Sequence, residues 1–126
     1  GDLELTTRLF NRMWGPGHPK WPDLPETSRA AMMRAMPVIP ASYGTLYEDE
    51  NNTLAPGALE AVSVPVLLIH GGTSPAVMAV IARGLRRRLP QAQLAALSGA
   101  GHMLPVTHPQ QTAQLLRSFW RRDDRA

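Results

Sequence analysis

The chain has no cysteine, no long apolar run and, across most of its second half, no acid. The first absence excludes a disulfide framework and any thiolate metal site. The second leaves nothing that reads as a membrane-crossing helix, which needs about 20 consecutive apolar residues. The third concerns distribution. Net charge is +3, yet no Asp or Glu lies between Glu60 and Asp123, while arginines gather at Arg83, Arg86, Arg87 and Arg88 and again at Arg117, Arg121 and Arg122. An anionic partner would use such clusters. No nucleic-acid motif accompanies them, so they read as the solvated outer faces of two helices. Neither a nucleic-acid nor a membrane partner is expected, and the cytoplasm is the expected compartment.

What is present centres on Val64-Pro65-Val66-Leu67-Leu68-Ile69-His70-Gly71-Gly72-Thr73-Ser74-Pro75. A short apolar run that stops at two glycines predicts a strand buried on both faces. Pro75 suits the start of a helix, where its missing N–H costs nothing. Val77, Ile81, Leu85 and Leu89 then recur every four residues, predicting a helix over 76–89 with its apolar stripe opposite the arginines. A second apolar run covers 94–97 and leads into Gly99-Ala100-Gly101-His102. Strand, helix and strand make the βαβ unit of a parallel sheet, so the fold class is α/β. Two strands alone do not make a free-standing parallel sheet. Either further strands are hidden or the chain belongs to something larger. It begins at Gly1 rather than Met, as a processed, truncated or excised piece would.

The first half predicts small helices and loops. Residues 2–14 read as a helix with Leu5, Leu9 and Met13 on one stripe, Phe10 and Trp14 beside it, and Arg8 and Arg12 opposite. A proline-rich loop carrying His18 and Trp21 follows. Residues 26–36 are a Met-rich helix of the adaptable packing kind, and 39–47 a short third helix. Residues 48–52 form an acidic loop, and 54–62 a connector. The closing helix spans about 108–121, with Pro109 in its first turn and Ala113, Leu116 and Trp120 as its stripe.

His102 is the sharpest catalytic candidate. It follows the second strand, and reactive groups in open α/β sheets sit at the carboxyl ends of strands. An imidazole there can shuttle protons near neutral pH. Gly72-Thr73-Ser74-Pro75-Ala76 imitates a nucleophile elbow, but the residue after an elbow serine must donate its N–H to the oxyanion, and Pro75 has none. Ser74 is instead expected to accept a backbone hydrogen bond at the helix start. His70 reads as a packed residue. The spacing of His70, His102 and His108 matches no compact ligand motif, so neither metal nor cofactor is expected.

In this order, the 64–71 strand, Leu89-Pro90, Gly99-Ala100-Gly101-His102 and His108-Pro109 before a closing helix resemble the C-terminal third of an α/β-hydrolase-fold protein. The resemblance spans about residues 59–120; before it, residues 10–29 resemble the helical cap these enzymes insert. It implies a division into a cap-like region at 1–58 and a C-terminal hydrolase lobe at 59–126. It also implies that His102 is the catalytic base of a nucleophile–acid–histidine triad acting on a small apolar ester or related bond. The family's usual acid position falls on Ser74, so the acid is absent from its common place; Glu48 or Asp49 would replace it only if their loop reached His102. The nucleophile would belong to a missing N-terminal part, and the isolated chain is expected to be inactive. A non-catalytic, hydrolase-like binding module is the alternative.

Overall fold

The computed structural model describes residues 1–14 and 19–123. His18 and the segment 124–126 lie outside the described residues. Helix α1 covers Leu3–Trp14, α2 Glu26–Ala35 and α3 Val38–Ala41. Strand β1 covers Leu67–Gly71, α4 Ala76–Arg88, β2 Gln93–Leu97, α5 Leu104–Thr107 and α6 Pro109–Asp123. The α/β class holds, with two parallel strands in register from Leu67 opposite Gln93 to Gly71 opposite Leu97. None of the described helices is long and apolar enough to cross a membrane.

In α1, the Asp2 carboxylate accepts the Leu5 N–H at 2.9 Å, a helix cap. The helix lies against α2. Its inward face is not the expected aliphatic stripe. Thr7 is 1% exposed and Phe10, Asn11 and Trp14 are half-buried, while Leu9 and Met13 are 55% and 63% exposed. Two amphipathic faces lie side by side on this helix, and the aromatic one is covered. Trp21 folds back as a buried anchor, its indole N–H donating to Glu4 of α1 at 2.9 Å. The expected third helix divides: α3 ends at Ala41, and a wide π turn at Gly44–Glu48 follows.

The strand begins three residues later than the apolar run does, because Val64 and Pro65 lie outside the ladder and Val64 stays exposed. The Gln93 N–H donates to the Val66 carbonyl, and the Gly72 N–H to that of Leu97. In a parallel ladder, alternate residues face the same neighbour, so Leu67 and Ile69 turn their backbone groups to the opposite edge. No strand among the described residues covers that edge. Accordingly, Leu67, Leu68 and Ile69 are only half-buried. The stripe of α4 is covered only at its C-terminal end: Leu89 is buried, Leu85 half-buried, and Val77 and Ile81 are exposed. On α6, Ala113 and Leu116 are half-buried, but Trp120 is exposed.

One arginine departs from its cluster. Arg83, Arg86 and Arg87 are exposed, but Arg88 turns onto the connector. Its guanidinium donates to both Glu60 carboxylate oxygens at 2.7 and 2.9 Å, and to the Leu54 and Ala55 carbonyls at 2.7 and 2.8 Å. The Arg88 hydrogen bond holds the Glu60 carboxyl at about 2, below its ordinary 4.5. A depressed carboxylate pKa stabilises the fold fully above about 4.5, and the contribution fades as pH falls toward 2. Thermal melts should therefore show Glu60→Gln melting below the wild type at pH 7. The gap should narrow below pH 4.5, close near pH 2, and shrink with added salt because the pair is exposed.

Candidate active site

The site is assembled by two loops at the carboxyl ends of β1 and β2. Thr73 donates both its N–H (2.9 Å) and its hydroxyl (2.8 Å) to the Ala100 carbonyl. The Gly72 N–H bonds Leu97 at 2.8 Å, and the Ala100 N–H returns to the Leu97 carbonyl at 3.3 Å. Ala100 is 0% exposed. Gly99 turns with φ at +75°, in the left-handed region that favours glycine. Gly71 has no room for a side chain, because a Cβ there would collide with the carbonyls of Ala100 and Gly101. The Gly-Gly-Thr turn after β1 is thus the seat of the Gly-Ala-Gly-His loop after β2.

His102 emerges half-buried from that seat. Its ring lies against Trp14, with centroids 5.2 Å apart and planes tilted by 46°. Trp14 in turn contacts Phe10 at 6.3 Å. Both aromatic residues line an apolar pocket of about 230 Å³, walled on its other sides by α2, α3 and Met103. The imidazole therefore touches Trp14, one wall of a pocket made by the helical region. The C-terminal position of Trp14 on α1 brings about this meeting, which no sequence spacing records.

Ser74 does not cap α4. The capping position is Pro75, one residue later, and no side chain caps the helix. The Ser74 hydroxyl is buried without a hydrogen-bond partner among the described residues. No described carboxylate bonds the His102 imidazole either. Asp49 is occupied within its own loop, where its two oxygens accept the Thr53 and Leu54 N–H groups at 2.8 Å each. Glu50 accepts the Thr45 hydroxyl. His70 is half-buried, its Nδ1 3.3 Å from the Gly71 carbonyl. His108 pairs with the Thr107 hydroxyl at 2.8 Å. The histidines form no metal-binding group among the described residues.

The chain is 30% identical over 120 residues to the pimeloyl-(acyl-carrier protein) methyl ester esterase of Aromatoleum aromaticum. The match covers 95% of this chain and 48% of that protein, so the chain spans about half the length of the curated relative it matches. No family model matches the chain, and no solved structure matches it.

Two glycines should respond oppositely to alanine. Gly71→Ala must push the Ala100–Gly101 backbone aside, at a cost of about 1–3 kcal/mol in urea unfolding, with a displaced His102 ring resonance. Gly84, inside α4 with open space around it, should gain about 0.5–1 kcal/mol as Gly84→Ala.

Proposed function

We propose that this chain is the C-terminal part of an α/β-hydrolase, with residues 1–58 as cap and 59–126 as closing lobe, and that the complete protein cleaves a small apolar ester or related bond. His102 acts as general base toward a serine supplied by the rest of the protein. It then returns the proton to the leaving group, so the acyl-enzyme forms and is hydrolysed with protons balanced. One observation carries this reading: the interlocked turns after β1 and β2 present an imidazole beside an apolar pocket. The similarity to an esterase supports it. So do the edge of β1 that no described strand covers and the exposed apolar residues Val77 and Ile81, which a larger sheet with its other strands and helices would cover.

The triad acid is assigned outside the described residues. Ser74 holds its usual place, and Asp49 is engaged by its own loop. The partners proposed are the N-terminal hydrolase part and an apolar small molecule, and the proposed compartment is the cytoplasm. A non-catalytic binding module is the second reading, favoured by the imidazole's lack of a carboxylate partner among the described residues.

The deciding experiment takes the complete translated protein. It should hydrolyse short-chain p-nitrophenyl esters and label with a fluorophosphonate at a serine in a Gly-x-Ser-x-Gly elbow upstream of Gly1. His102→Ala should lower kcat/KM about 10²–10⁴-fold with the fold intact by circular dichroism. A protein without such an elbow, or with full activity after His102→Ala, would overturn the hydrolase reading. Labelling of Ser74 would overturn the assignment of the nucleophile.

A further inference from the structure

A second cavity lies on the helical region and shares no lining residue with the pocket that Trp14 walls. Its volume is about 350 Å³, within the roughly 300–1,000 Å³ of small-molecule sites. Glu26, Arg29, Ala30 and Met33 recur at helical spacing along one face of α2, and Glu4 of α1 and Trp21 complete the lining. Trp21 is a fixed wall: it is buried, and its indole N–H donates to one Glu4 carboxylate oxygen at 2.9 Å. The other Glu4 oxygen and the Glu26 carboxylate have no partner among the described residues.

The charges set this cavity apart. Arg29 is half-buried, and its guanidinium, rich in N–H donors, meets no acceptor among the described residues. Yet two carboxylates line the same space, and Glu26 stands three residues before Arg29, a spacing at which ion pairs form along a helix. Arg88 pairs with Glu60, but Arg29 pairs with neither glutamate. Charges of opposite sign are thus held apart across a cavity whose apolar side is Trp21, Ala30 and Met33. The ligand that completes them carries an anion for Arg29 and a cation for each glutamate, joined by an aliphatic stem.

We propose that this cavity binds a free basic α-amino acid of the lysine type. Its α-carboxylate pairs with the Arg29 guanidinium, the two-pronged match of those planar groups. Its α-ammonium pairs with Glu26 and its side-chain cation with the free oxygen of Glu4, while the methylenes lie along Ala30, Met33 and Trp21. The site uses no residue of the histidine loop, so it stands or falls independently of the hydrolase reading.

The test titrates L-lysine into the complete protein, labelled with nitrogen-15 at its tryptophan indoles, at low ionic strength. The Trp21 indole N–H, assigned by its loss in Trp21→Phe, reports on Glu4 directly because it donates to that carboxylate. Its signal should shift saturably, with half-saturation below about 1 mM. Norleucine lacks the side-chain cation and cadaverine lacks the α-carboxylate; each should bind about tenfold more weakly than lysine. Arg29→Gln should abolish the preference for lysine over cadaverine while leaving cadaverine binding unchanged. Glu4→Gln keeps an acceptor for the indole and should abolish the preference for lysine over norleucine. Each variant is read as a preference between two ligands, so a general loss of fold cannot produce the expected result. No saturable shift over the millimolar range, equal binding of lysine and cadaverine by the unaltered protein, or an Arg29→Gln protein that still prefers lysine would each overturn the site.

Discussion

The closeness of two backbones governs this structure. At the carboxyl end of β1, Gly71 lies so near the carbonyls of Ala100 and Gly101 that no side chain fits between them. Thr73 then closes the contact with two hydrogen bonds to the single Ala100 carbonyl. Each such bond is worth only about 1 kcal/mol net, but together they remove the freedom of a glycine-rich loop. Without that seat, Gly99 and Gly101 would leave His102 on a floppy tether. With it, the backbone that leads into His102 is tied to the turn after β1.

That position matters because of what the helical region brings to it. Trp14 belongs at once to the pocket and to the surroundings of His102. An apolar wall against an imidazole keeps water from one side of the ring. The rest of the molecule is less well covered. One edge of β1 is covered by no strand among the described residues, Leu9 and Met13 face outward, and the N-terminal half of the α4 stripe is exposed. These features share one physical cause, a two-stranded sheet that offers too little surface to bury every apolar face near it.

Much of the fold was legible in local pattern. The β1 run ending in Gly-Gly, the four-residue spacing of α4, the second apolar run and Pro109 at the head of α6 each lie where period and punctuation put them. Less was legible where several faces competed. Both Leu5-Leu9-Met13 and Thr7-Phe10-Trp14 keep helical spacing on α1, and hydrophobicity favoured the first. The second is the better covered, with Thr7 buried and Phe10 and Trp14 half-buried, because it meets α2 and the histidine loop. Arg88 looked like its three neighbours, yet it alone clamps the connector, because only it reaches Glu60 and the Leu54 and Ala55 carbonyls. Ser74 carried a capping residue's chemistry, but Pro75 took the capping position, and the Ser74 hydroxyl has no partner among the described residues.

The sequence by itself determined where the strands and helices lie, that the two strands run parallel, and that a histidine follows the second one. These depend on residues close together in the chain, through periodicity, backbone restriction and the hand of a crossover. Tertiary structure alone decided that Gly71 faces Ala100 and Gly101, that Trp14 meets His102 from 88 residues away, and which face of α1 is inside. Those facts depend on how separate elements dock. Docking is set by shape and packing in three dimensions, and spacing along one chain does not encode it.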